Sequence, residues 1–176
     1  FLWNKFIGVE HFYIVDDNKD KPLKDFFKNF SDQITFIDDA KINQSTSQRK
    51  LFQIIYDRHR AESHWMAFID DDEYIMPLQG LTFVNFLKSI EDRRGVELNS
   101  RFFGPHGYHK HEGLKCHENN LILDRYWLYE SKPMVKSIVN SKIVSGLAEG
   151  RGPHRLVPSG VVDCFGNDVD SIEDTA

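Results

Sequence analysis

The sequence predicts a single α/β domain, a mostly parallel central sheet flanked by helices. Three observations carry that expectation. Strand-like and helix-like stretches alternate through the first half of the chain, which is the pattern of repeated crossover units. Trp65-Met66-Ala67-Phe68-Ile69 is an unbroken apolar run, suited to a strand covered on both faces by helices. The length of 176 residues is enough for one real core and too short for two roomy ones.

Along the chain, Val9 to Val15 is aromatic and β-branched and stops at Asp16-Asp17-Asn18, a strand ending in a polar turn. A short amphipathic helix follows from Pro22, with Leu23, Phe26, Phe27 and Phe30 on one stripe. Ile34 to Ile37 is a second strand. Ser45-Thr46-Ser47 offers N-caps for a helix in which Leu51, Phe52, Ile55 and His59 recur at helical spacing up to about Arg60. After the apolar run at 65–69, Thr82 caps a helix that buries Phe83, Phe86, Leu87 and Ile90. Gly95 to Phe103 reads as a strand entering the turn Gly104-Pro105-His106-Gly107, Leu121 to Tyr129 as a helix, and Met134 to Val139 as a strand. Glycines and prolines make the last third loop-rich. Residues 1–162 form the expected domain and 163–176 an acidic, solvated terminal segment. The opening Phe1-Leu2-Trp3 without a Met suggests a piece of a larger polypeptide.

Composition excludes several classes. A net charge of −5 leaves no surplus of Lys and Arg for phosphate backbones, so no nucleic-acid partner is expected. No apolar run is long enough to span a membrane. Two cysteines, Cys116 and Cys164, make neither a disulfide framework nor a four-cysteine zinc site. The group His106, His109, His111, Cys116 and His117 lacks paired metal-site spacing and reads as a histidine-bearing loop.

The informative feature is Asp70-Asp71-Asp72-Glu73, four acids that end the most apolar strand. Like charges at such spacing oppose folding unless something positive lies among them. In extended geometry Asp70 and Asp72 point the same way and can converge on a hard divalent ion, Mg²⁺ or Mn²⁺, that takes its remaining ligands from water and substrate phosphates. A longer loop with a Gly and a distal Glu, as in an EF-hand, is absent. In parallel α/β sheets, ligands bind beyond the carboxyl ends of strands, where both this cluster and Asp16-Asp17 fall. Gln48 and Arg49 open a helix, and the Arg49 guanidinium offers a planar fork suited to phosphate oxygens. The competing readings are a solvated acidic turn, an Asx turn at Asp16 and a solvated first helical turn.

The segment Trp65-Met66-Ala67-Phe68-Ile69-Asp70-Asp71-Asp72-Glu73-Tyr74 resembles the W-x-x-F-[IL]-D-x-D-E-[FY] signature of GT-A fold glycosyltransferases, in the family-2-like group that includes glycosyltransferase family 92. Gly8 to Asn18, Arg101 to Gly107, and Lys136-Ser137-Ile138-Val139 followed by His154 are similar to further blocks of that family, in the same order. The family's first strand and a later His-Tyr block have no counterpart, and Arg101 replaces a common Trp.

The resemblance implies a GT-A (Rossmann-like) fold and a hexosyltransferase that moves a sugar from a nucleotide-diphospho-sugar, expected to be a UDP-sugar, to a glycan or other acceptor hydroxyl. It further implies donor contacts at Asp16, Asp17, Gln48, Arg49, Asp70 and Asp71, with Gln48 and Arg49 toward the donor phosphates, and a Mn²⁺ or Mg²⁺ held by Asp70, Asp72 and His154. Within that set Asp72 ligates directly, Asp70 reaches the ribose or the metal through water, and Asp71 packs or caps rather than reacts. Glu73, Glu112 and Glu149 are unranked candidates for a base. The expected setting is cytoplasmic polysaccharide synthesis. A metal-dependent nucleotidyltransferase and a non-catalytic sugar- or nucleotide-binding module are the alternatives.

Overall fold

The computed structural model of the protein describes residues 1–16, 23–37, 46–77, 82–100, 135–148, 154–157 and 159–169. Helices α1 (Leu2–Phe6), α2 (Leu23–Phe26), α3 (Gln48–His59) and α4 (Phe83–Ser89) are interleaved with strands in a mixed α/β structure. The strands are β1 (Phe12–Ile14), β2 (Ile34–Phe36), β3 (Trp65–Ala67), β4 (Gly95–Asn99), β5 (Val135–Asn140), β6 (Val161–Val162) and β7 (Asp168–Val169). The expected turn at 104–107, the helix at 121–129 and the histidine-bearing loop lie outside the described residues.

Local chemistry sets the helix starts. Ser47, one of three candidate caps, accepts a bond from the Lys50 N–H at 3.4 Å, and Thr82 accepts from the Asn85 N–H at 3.2 Å. Each satisfies an N–H that the first helical turn leaves open.

The strands form a parallel pair, β1–β2, and a five-stranded sheet in the order β3-β5-β4-β6-β7. Among the described residues of the larger sheet only β4 and β6 run parallel; β3–β5, β4–β5 and β6–β7 are antiparallel. This corrects the expectation of a mostly parallel central sheet, and β3 ends the described strand order with Trp65 half-buried and Ala67 exposed, so it is not covered on both faces. Alternating strands and helices indicate how consecutive strands connect, not which later strand enters between them. Here β5 inserts between β3 and β4 and runs against both. The carboxyl ends of β3 and β4 therefore share one edge with the amino end of β5.

β5 is buried along its whole length. Its alternating side chains feed two cores, as the period of a strand requires. Val139 joins Met66, Phe68 and Val161 against Ile55 and Tyr56 of α3 and Val144, Leu156 and Val157 of the following loops. Ile138 joins Val96 and Val162 against Phe83 and Leu87 of α4, with Ile7, Ile75 and Ile90. Gly95 permits the layers to approach: a Cβ there would lie 2.6 Å from both the Ile138 carbonyl oxygen and Val157 Cγ2. At the carboxyl end of β5, Asn140 Nδ2 donates to the carbonyls of Glu91 and Arg93, both at 3.0 Å, closing the edge opposite the acidic run.

The first residues of the 163–176 stretch turn back onto the sheet. Val161 and Val162 pair with Val169 and Asp168, and Asp168 meets Arg93 Nη1 at 2.6 Å. Among the described residues, no helix is long and apolar enough to cross a membrane.

Tyr56 is 0% exposed and donates its hydroxyl hydrogen to the Val144 carbonyl at 2.7 Å. Tyr56→Phe leaves that buried carbonyl unpaired, so urea unfolding should show a loss of about 1–3 kcal/mol. A second tyrosine predicts a pH effect. Tyr13 stacks on His59 (centroids 4.2 Å apart) and donates to Glu62 at 2.8 Å. Burial first, then the bond and charge of Glu62, push its pKa up to about 12. An unfolded tyrosine ionises at ~10, so the unfolded chain holds fewer protons above that pH. The stabilisation is complete below about pH 10 and disappears as the pH rises toward about 12. Chemical denaturation across that range should show the decline, and Glu62→Gln should narrow the window.

Candidate functional site

The hydrogen-bonded part of β3 ends at Ala67, and the acidic run follows two apolar residues later. Asp70 to Glu73 closes on itself. The Glu73 N–H donates to the Asp70 carbonyl at 3.2 Å, and Glu73 Oε2 accepts from the Asp70 N–H at 2.9 Å. The Glu73 side-chain bond is the half of a capping box that reaches back to the first N–H, and the Asp70 carbonyl closes the turn through the backbone. Because Asp71 and Asp72 occupy the turn, the alternation of an extended strand does not set where their side chains point.

The four acids divide into two pairs. Asp70 Oδ1 accepts from Gln48 Nε2, the first residue of α3, at 2.6 Å. Asp70 Oδ2 accepts from Lys136 Nζ at 2.9 Å, and Glu73 Oε2 lies 2.9 Å from the same ammonium. Lys136 is only 6% exposed. Burial pulls the Lys136 pKa down, but the hydrogen bonds and charges of Asp70 and Glu73 outweigh it and hold the pKa above the ordinary lysine value. Asp71 and Asp72, by contrast, are exposed, with no side-chain hydrogen bond or ion pair among the described residues.

The next residue on β5 serves the opposite face. Ser137 Oγ donates to the His154 carbonyl and accepts from the Leu156 N–H, both at 2.9 Å. One hydroxyl thereby ties 154–156 to the same strand end that carries Lys136. Directly across the ladder from Ser137 lies Glu97, buried and 3.8 Å from Arg155 Nε. Of the residues singled out in the sequence, Arg49 and His154 each have a polar nitrogen, Nη1 and Nδ1, that is buried without a hydrogen-bond partner among the described residues. Buried polar atoms of this kind are uncommon in a finished structure and mark places where a ligand can supply the missing partner.

Of the residues singled out in the sequence, the fold joins Gln48 to Asp70. It places Arg49 beside Gln48 on α3 and His154 beside the amino end of β5 through Ser137. Asp16 Oδ2 accepts from the Leu23 N–H at 2.6 Å, so it helps to start α2. Asp17, Glu112 and Glu149 lie outside the described residues. Glu73, the remaining candidate base, is engaged by the Asp70 N–H and Lys136. Sequence reasoning misses Lys136, Ser137, Glu97 and Arg155 as parts of the site. The available signal for Lys136 is a lysine set inside the apolar stretch Val135 to Val139, together with a run of acids in want of a cation.

Residues 2–147 match the family model for glycosyltransferase family 92. The matched span takes in Asp16, Gln48, Arg49, the acidic run and Lys136, and stops before His154. No curated protein matches the chain significantly.

Ser137 is 1% exposed, and replacing it by Ala removes both of its bonds at once. Ser137→Ala should cost about 1–3 kcal/mol in chemical unfolding. Amide hydrogen exchange should accelerate at Leu156, while the Tyr56 side of the core keeps its protection.

Proposed function

The chain belongs to glycosyltransferase family 92, and from that premise we propose a metal-dependent transfer of a hexose from a nucleotide-diphospho-sugar, with a UDP-sugar as donor, to an acceptor hydroxyl in glycan or polysaccharide synthesis. The observation that carries this reading is the division of the acidic run. One pair, Asp70 and Glu73, is neutralised inside the protein, and the other, Asp71 and Asp72, faces outward beside it. The GT-A arrangement belongs to the same proposal, supported by the parallel β1–β2 pair and by an acid run that follows β3.

The donor atoms fit a hard divalent ion. Among the described residues no three His, Cys, Asp or Glu side chains gather into a metal cage. Mg²⁺ and Mn²⁺ sites that work on phosphates need no such cage: one or two carboxylates suffice, with waters and substrate oxygens completing the shell. Asp72 has a carboxylate without a partner among the described residues; Asp70 beside it has both oxygens engaged, and the buried His154 Nδ1 is a nitrogen of suitable chemistry that is not gathered with the two carboxylates. When bound, the ion would act as a Lewis acid that stabilises charge on the departing diphosphate.

The protein's own residues supply binding and orientation. Gln48 and Lys136 fix both oxygens of Asp70, so this carboxylate keeps one orientation toward a donor. The unpaired Arg49 Nη1 suits a phosphate oxygen, and a charge-assisted bond there would satisfy a buried donor. Asp16 and Asp17, following β1, offer acceptors to ribose hydroxyls or to a base N–H. Glu73 belongs to the framework of the site, as its bonds to Lys136 and to the Asp70 amide make it a strut.

Titration calorimetry tests the reading. UDP should bind in the presence of Mn²⁺ and weakly or not at all in its absence. Asp72→Ala should weaken Mn²⁺-dependent UDP binding by about tenfold or more, a loss that even the partners of metal ligands commonly produce. The same variant should keep its melting temperature or gain slightly, because an exposed like charge is removed. Unchanged UDP affinity in Asp72→Ala would overturn the metal assignment, and a preference for UTP over UDP would favour nucleotidyl transfer.

A further inference from the structure

A run of four acids needs a cation, and this fold supplies one of its own. Lys136 Nζ lies 2.9 Å from Asp70 Oδ2 and 2.9 Å from Glu73 Oε2, almost sealed from solvent. Any divalent ion approaching Asp72 meets two consequences of that arrangement. The Asp70 oxygen facing Lys136 is already engaged, and its other oxygen is bonded to Gln48. The ammonium also repels a second positive charge, a repulsion that water around the exposed Asp72 weakens without abolishing. The site therefore attracts a divalent ion with much less than the full charge of its four acids. A donor diphosphate brings its own negative charge and restores the attraction.

We propose that Lys136 is a positioning residue that makes divalent-ion binding conditional on the donor: it withholds Asp70 and Glu73 from the free ion, so that ion and nucleotide diphosphate bind together rather than the ion first. This inference rests on the metal-dependent reading above and adds to it an order of assembly and the residue that imposes it. Lys136 touches neither donor nor ion in this scheme. It acts through the carboxylates that it holds.

The test measures Mn²⁺ binding to the full chain by calorimetry, with and without UDP, in the wild type, Lys136→Met, Lys136→Arg and Asp72→Ala. In the wild type, UDP should strengthen Mn²⁺ binding strongly. In Lys136→Met, the apolar side chain of similar length frees Asp70 Oδ2 and leaves Glu73 Oε2 held only by the Asp70 N–H. Mn²⁺ alone should then bind on the order of tenfold more tightly than to the wild type, as removal of one nearby like charge would produce, and the enhancement by UDP should shrink. Lys136→Arg keeps the charge and should restore the wild-type coupling.

A purely structural lysine would lower the melting temperature of Lys136→Met and leave its Mn²⁺ affinity unchanged or weaker, and that result overturns the proposal. Should Lys136→Met be largely unfolded, thermal melts decide instead. Mn²⁺ should raise its melting temperature more than that of the wild type, and an equal or smaller shift counts against the inference. The Asp72→Ala arm separates the two levels. If it binds Mn²⁺ with UDP as the wild type does, the metal reading itself fails. If it loses that binding while Lys136→Met behaves as the wild type, only the role given to Lys136 fails.

Discussion

The ion pair network at the amino end of β5 is the constraint around which the described structure is arranged. A lone ammonium buried as Lys136 is would cost several kcal/mol in lost hydration, while Asp70 and Glu73 keep part of their own hydration, so each single pair is worth less than a fully buried one. Lys136 is tolerable only with Asp70 and Glu73 both in reach, and the reverse holds for two acids closed into one turn. The network therefore locks three things together: the end of β3, the turn that follows it, and the start of β5. Gln48 adds the first turn of α3 to the same lock.

The antiparallel insertion of β5 is what makes this possible. Had β5 run parallel to β3, its amino end would lie at the opposite edge, and Lys136 could not meet the acids that follow Ala67. The mixed sheet is thus not an imperfection of an otherwise parallel design. It brings residues 66 positions apart in the chain to 2.9 Å. The same strand end works on both faces, because Lys136 and Ser137 necessarily point to opposite sides. One neutralises the acids, and the other fastens the segment carrying His154 and Leu156. A displacement of β5 by one residue would exchange the two faces and forfeit both functions, which gives the register a strong energetic reason beyond its hydrogen bonds.

Much of this is legible locally, and the remainder depends on distant pairing. The caps Ser47 and Thr82, the helix that buries Ile55, the apolar strand at Trp65 and the exceptional acid run all follow from nearest-neighbour chemistry. The direction of β5 does not, since strand periodicity is the same for parallel and antiparallel pairing. β6 and β7, two residues each, are too short to display any period. Lys136 enters the sequence reading only through a resemblance, because a lysine in a strand ordinarily points to solvent. Its burial follows from acids far away in sequence. Electrostatics alone requires a positive charge among residues 70–73. That a side chain of the protein supplies part of it emerges only once β5 is in place.

That partial neutralisation explains how such a cluster coexists with a stable fold. Were all four carboxylates to depend on a bound ion, the turn after β3 would be held together by something the protein must first acquire, and folding would be linked to its concentration. With Asp70 and Glu73 satisfied internally, the turn has its own hydrogen bonds and its own countercharge. Asp71 and Asp72 are exposed, where water screens their repulsion and the cost of leaving them unpaired is small. Stability and charge are in this way assigned to different members of one short run: the inner acids hold the backbone in place, and the outer acids keep their charge available at the edge of the sheet.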